Sequence, residues 1–425
     1  MTSDTTPDQQ PATAPKLSFL RSATVVAVGM AIMNVAAYGF TLVAVHRLVP
    51  SEFGAVTALL GLLLIGNVAA LGLQASGARR IATHTGAGEA ALADSMLKAG
   101  RLAALGLTVF CLLMTPLIMW LLHIDSLIAA LLVAPTLGCL TIMGSQLGVL
   151  QGGKNWTELA AVYTATGIGR LVFGGGALFV SQTLTAAMVG LALGAAVPPL
   201  LGGFLLRGST GGTPEQVKEV LRETVHGTHT LLAFFVIANA DVLLARGLLD
   251  QQHSGYYAAG VIVAKACLFL PQFVIVIVFP SLATSPGDTQ RLRRAIQAVA
   301  ALGVCCVLGA LLLPDVVVKV VGGEDYAPVG PIAWLFALAG SSYAVLQLVV
   351  YAAIAQQEKR AAVLIWIGLV SLAVATLIIL GTDIATDLTG VKVLVAMTST
   401  CALALSAALA SGLRRHSVAD QAPTA

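Results

Sequence analysis

The sequence predicts an all-α, polytopic membrane protein, with twelve transmembrane helices in two six-helix lobes. Three observations support this. Twelve apolar stretches are each long enough to cross a bilayer, and none shows the alternation of an outer-membrane strand. The chain is 57% hydrophobic and only 10% charged, with a mean hydropathy of +0.91, whereas soluble domains carry about 25% charge. Local patterns in the first half also recur in the second.

The elements follow in chain order. Residues 1–22 are polar and rich in Pro and Thr, the composition of a disordered tail. The first apolar run is long enough to span the membrane rather than be cleaved as a signal peptide. At about 20 helical residues per crossing, an N-lobe (23–206) holds spans 23–45, 54–74, 102–122, 127–150, 159–180 and 184–206. A C-lobe (230–413) holds spans 230–250, 256–279, 297–317, 331–355, 362–380 and 393–413. The linker between them, 207–229, opens with Gly, Ser and Thr. It continues as Thr213-Pro-Glu-Gln, a helix start with Pro first and Gln three after the cap. Val217, Val220 and Leu221 make one apolar face, which reads as an amphipathic helix on the inner membrane surface. A regulatory docking site is the other reading. Residues 414–425 form a second tail.

Orientation follows from Lys and Arg. With the N-terminus inside, 17 of the 23 basic residues lie on the cytoplasmic side. Arg47, Arg246, Lys319 and Lys392 lie outside, and Arg170 and Lys265 lie within the membrane. Both termini are therefore expected in the cytoplasm of a cell with a single or inner plasma membrane. The net charge of +3 is small and unclustered, so no nucleic-acid partner is expected. Cys111, Cys139, Cys267, Cys305, Cys306 and Cys401 all fall in apolar stretches and read as core residues, without metal spacing. His226 and His229 share a helix face and read as interfacial residues rather than metal ligands. No cofactor is expected.

The halves read as copies. "AALG" occurs at Ala103 and Ala300, Pro116 matches Pro314, Arg47 matches Arg246, and Phe53-Gly54 matches Gly255-Tyr256. The offsets are 197, 198, 199 and 201 residues. Such a parallel repeat places substrate between lobes that rock around it.

Arg170, Asp241 and Lys265 sit deep in apolar spans, where a charge costs roughly 2.5–3.5 kcal/mol unless it is paired or faces a polar cavity. Counted from the expected span ends, Asp241 and Lys265 lie at similar depth on neighbouring helices, so an ion pair between them is expected. Arg170 has no acidic residue in its own span, which points it at water or an anion, and its planar fork suits phosphate. Asn34 and Asn239 read either as cavity donors or as helix-joining polar groups. Tyr256 and Tyr257 read as interfacial belt residues. The stripes Gly144/Gly148/Gly152 and Gly190/Gly194 read as close-packing positions. The phosphate-loop-like Gly148–Asn155 lacks the final Ser/Thr and follows a span instead of a strand, so it is rejected.

Several stretches resemble one family. "HRLVPSEFGAVTALLGL" (His46–Leu62), "LGLQASGARRIA" (Leu71–Ala82), "LGVLQGGKNW" (Leu147–Trp156) and the run Asn239–Ala283 are similar to bacterial polysaccharide repeat-unit flippases of the O-antigen and teichoic-acid type. These belong to the multidrug/oligosaccharidyl-lipid/polysaccharide exporter superfamily. The resemblance implies a V-shaped central cavity, alternating access, and transfer of a polyprenyl-diphosphate-linked glycan from the inner to the outer leaflet. Its implied partners are that lipid-linked glycan, membrane lipids, and a glycan polymerase or glycosyltransferases. It maps a cationic cavity onto Arg170 and Lys265, with Arg47 and Arg246 at the outer rim and Asp241, Asn239 and Asn34 as further lining.

Two other functions compete. A proton- or sodium-coupled drug antiporter needs carboxylates, and Asp241 is the only deep one here. A membrane glycosyltransferase or polymerase needs acidic motifs in sizeable outer loops, and these loops are short with scattered acids. The chain is therefore read as a transporter and not an enzyme.

Overall fold

The computed structural model describes residues 14–83, 88–208, 211–269, 289–355, 360–380 and 387–419. The tail up to residue 13, the second half of span 8 and the last six residues lie outside the described residues. Among the described residues the ordered structure is helical, and ten helices are long and apolar enough to cross a membrane. They coincide with spans 1–4, 6, 7 and 9–12 of the sequence reading.

Helix α1 (Ala14–Arg47) ends at a corner where Pro50 opens α2 (Pro50–Gly66), and Asn67 separates α2 from α3 (Val68–Ala82). Helix α4 (Gly88–Leu122) carries Pro116 internally. The short α5 (Leu127–Leu131), capped by Ser126, leads into α6 (Val133–Gly152). Span 5 is interrupted. Helix α7 (Trp156–Gly169) passes into a π-helical turn, Arg170–Gly175, before α8 (Gly176–Val180). Thr183 then caps α9 (Leu184–Leu205).

The second half comprises α10 (Pro214–Leu248), α11 (Gln251–Phe269), α12 (Thr289–Leu312), α13 (Pro314–Val321), a 3₁₀ segment (Glu324–Ile332), α14 (Ala333–Ala355), α15 (Arg360–Leu380) and α16 (Leu388–Ala419). The proline match is imperfect. Pro116 stays inside α4, whereas Pro314 starts the separate helix α13, where a missing N–H costs nothing.

The glycine stripes pack as the sequence predicts. A β-carbon on Gly144 would lie 2.4 Å from the Ala70 carbonyl oxygen, and one on Gly194 would lie 2.4 Å from that of Gly169. Helix α6 therefore lies directly on α3, and α9 on α7.

The linker differs from the surface helix expected for it. Thr213 and Gln216 do form the reciprocal capping box, but the helix they start does not end at the membrane. It runs on for 35 residues as span 7. Its apolar face has a protein partner, since Val220 is fully buried with Leu73, Met96 and Val149 of the first half. Burying such a face against protein removes the need for a lipid surface.

Helix α10 lies antiparallel to α2 and α3 along nearly their whole length. Arg80 meets Glu223, Ser76 meets Thr224, Gly72 meets Thr228, Gly61 meets Asn239, and the Ser51 carbonyl meets Arg246. This seam joins the halves from the linker end of the molecule to the end bearing Pro50.

Candidate functional site

Arg170 and Lys265 come from opposite halves and lie close enough for their charges to act on one another. Neither makes a hydrogen bond or ion pair among the described residues, and the buried Nε of Arg170 has no acceptor. The guanidinium instead stands 5.1 Å from the centre of the Phe40 ring of α1, a favourable placement for a cation. It is the first residue of the π-helical turn; such turns re-aim side chains and gather at functional sites.

The expected Asp241–Lys265 ion pair is not made; no contact within 4.0 Å joins them. The reason is register. Helix α11 begins at Gln251 rather than 256, so Lys265 lies 14 residues, ~21 Å, from its start. Asp241 lies seven residues, ~11 Å, from the end of α10. The residue at matching depth is Tyr257, whose hydroxyl donates to Asp241 Oδ2 at 3.1 Å. The other carboxylate oxygen is buried without a partner. Tyr343 lies close by, with its hydroxyl donating to the Ile237 carbonyl.

The belt reading of both tyrosines is therefore overturned. Tyr257 is 1% exposed. Tyr256 stands edge-on to Tyr326, which also stacks edge-on against Phe53 and donates to the Leu48 carbonyl at 3.0 Å. The signal for Tyr257 was present in the sequence, since Asp241 and Tyr257 are almost equally far from the Leu249-Asp250 corner.

The other candidates divide. Asn34 is exposed and one helical turn before Tyr38, which lies near Cys267 of α11; its face of α1 is thus turned toward the second half. Asn239 is 4% exposed, donates to the Phe235 carbonyl of its own helix and packs on Gly61. It joins helices rather than lining a cavity. Arg47 stacks 4.0 Å over the Phe179 ring. Arg246 is 4% exposed and gives its N–H groups to the carbonyls of Leu122, His123 and Ser51 and to the Ser254 hydroxyl. Those four bonds leave it no free face, so in this conformation it closes the Pro50 end.

An apolar groove of about 430 Å³ runs past Ile168, Val172 and Val197 between α7 and α9.

No protein-family model matches the chain, and no curated protein matches it. Solved structures match its fold. It is similar to an inward-facing multidrug resistance MATE family transporter of the MOP superfamily (TM-score 0.73, 12% identity), over 95% of this chain and 100% of that one. It is similar to the lipid II flippase MurJ in an inward closed conformation (TM-score 0.72, 10% identity), over 94% of this chain and 91% of that one. An outward-facing MATE transporter matches at a TM-score of 0.62 and 12% identity, over 96% of this chain and 97% of that one. The chain is thus a multi-pass membrane protein with the fold of these transporters.

Proposed function

We propose that this protein is a flippase for an anionic, polyprenyl-diphosphate-linked glycan. It would reside in the plasma membrane with both termini in the cytoplasm, so that the Pro50 end faces outward. One observation carries the reading: Arg170 and Lys265 come from opposite halves within reach of each other's charge, and the Asp241 carboxylate that also acts on Lys265 is held by Tyr257 and makes no ion pair with it. Two desolvated cations in one space repel, and a diphosphate between them would offset both that repulsion and their burial. Arg170 supplies a planar fork for bidentate phosphate contact and Lys265 a point charge. Asn34, on the α1 face turned toward the second half, adds a polar group for the glycan side of the headgroup. Closure at the Pro50 end by Arg246, Tyr326 and the Gly54–Gly255 contact supports a carrier closed on its outer side. A glycan polymerase or glycosyltransferases would act on either side of the transfer.

The test is Arg170→Ala in cells depleted of the wild-type protein. Inner-leaflet lipid-linked glycan should accumulate although the variant inserts normally. Arg170→Lys should keep partial transfer, since it retains charge but loses the fork. Normal flipping by a well-expressed Arg170→Ala variant defeats the reading. A cation antiporter is the second reading, favoured by the buried Asp241 carboxylate with its unpartnered oxygen and by the fold shared with MATE transporters. It requires that Asp241→Asn, and not Arg170→Ala, abolish transport.

A further inference from the structure

His46, at the end of α1, contacts carbonyl oxygens with both ring nitrogens. Nδ1 lies 2.8 Å from the Leu42 carbonyl of its own helix. Nε2 lies 3.3 Å from the carbonyl of Lys319, in the last turn of α13 in the other half. A carbonyl oxygen only accepts, and a neutral imidazole carries a single N–H. Neutral His46 must therefore set a lone pair against one of the two oxygens. Only the imidazolium donates to both, and its charge also suits the C-terminal end of α13.

We propose that His46 is a proton-operated clasp, which holds the two halves together at the Pro50 end when it is protonated. The ring is exposed, so it exchanges protons with the aqueous phase on that side. The charged neighbours tolerate a further positive charge. On its own helix, Arg47 is turned onto Phe179. On α13 stand Asp315 and Lys319, and the 3₁₀ segment that follows opens with Glu324 and Asp325. On α2, Glu52 accepts from the Leu184 N–H; α8 carries no charge. At the start of α11, which packs on α13, stand Asp250 and His253, hydrogen-bonded to one another.

The sign follows. Closing the Pro50 end binds a proton, so acid on that side favours the closed form, and deprotonation releases α13 from α1. One proton taken up at closure makes the closed-to-open ratio fall by at most ten-fold per unit rise in pH on that side. Nothing in this clasp depends on which substrate the carrier moves. Because the ring meets the same aqueous phase in both forms, the clasp senses the pH on that side alone.

Electron–electron distance measurements test this on the full chain in nanodiscs, with the six native cysteines replaced. Spin labels at Val49→Cys and Val316→Cys, both exposed positions flanking the clasp, report the separation of α1 from α13. The short-distance population should dominate near pH 5 and give way to a longer one near pH 8. His46→Gln keeps one donor of similar size but cannot titrate, so it should abolish the pH response; His46→Ala should abolish it too, with the longer distance enriched at every pH. An Asp250→Asn/His253→Gln variant removes the neighbouring titratable pair and should respond as the parent does. A parent whose distances do not change with pH overturns the clasp, as does a response that survives in His46→Gln or disappears in the Asp250/His253 variant.

Discussion

Gly54 and Gly255 lie back to back across the two halves. A β-carbon on Gly54 would lie 3.0 Å from the Gly255 nitrogen, and one on Gly255 would lie 2.1 Å from the Pro50 carbonyl oxygen. These are the positions paired by the sequence pattern, so the two Gly-aromatic corners read from the sequence meet in the fold. Phe53, Tyr256, Tyr326 and Arg246 surround the contact and exclude water from it.

Gly255→Ala should open the Pro50 end. The obstructing atom is backbone and cannot rotate aside, so the closed form should lose about 1–3 kcal/mol. That is roughly a 5- to 150-fold shift in the closed-to-open ratio. Thiol-reagent access from the Pro50 side to a cysteine at Asn34 should rise accordingly, with little change in expression. Unchanged access would mean that this contact does not set the closure.

Asp241 and Lys265 should show weak coupling. A contacting buried pair would cost about 3–5 kcal/mol when either partner is removed alone. Because Asp241 is instead bonded to Tyr257, the coupling from Asp241→Asn, Lys265→Gln and the double variant should stay below about 1 kcal/mol in detergent melting. Tyr257→Phe should destabilise more than Lys265→Gln does. A strong Asp241–Lys265 coupling would require the two side chains to meet in another conformation of the carrier.

At the linker end, Glu223 pairs with both Arg79 and Arg80, and Glu219 also reaches Arg80. These groups are part-exposed, so Glu223→Gln should cost no more than about 1 kcal/mol. That difference should shrink as ionic strength rises toward 1 M. Arg80→Glu combined with Glu223→Arg should recover most of the loss. A salt-independent loss would place the effect in packing, not charge.

The all-helical fold and ten of the spans were legible in the sequence because each depends on local composition. An apolar run of given length crosses a bilayer whatever surrounds it, and a Gly-aromatic corner recurs as a pattern before it is a contact. The glycine stripes likewise marked positions of close packing, and the Thr213 capping box marked where α10 begins.

Which side chains meet was decided by tertiary structure. Starting α11 five residues early moved Lys265 away from Asp241 and brought Tyr257 to it, since each residue shifts depth by 1.5 Å and direction by 100°. The π-helical turn at Arg170 changes the helical rotation without any clear mark in the local composition. Arg246 resembles Arg47 in sequence, yet it is enclosed by carbonyls of Ser51, Leu122 and His123, whereas Arg47 stacks on the Phe179 ring. His46 gained its second carbonyl from Lys319, 273 residues away. The sequence alone marked the ionisable residues within apolar runs. Their partners, or lack of them, depended on helix register and on the seam between the halves, because a buried charge is stabilised only by groups within a few ångströms of it.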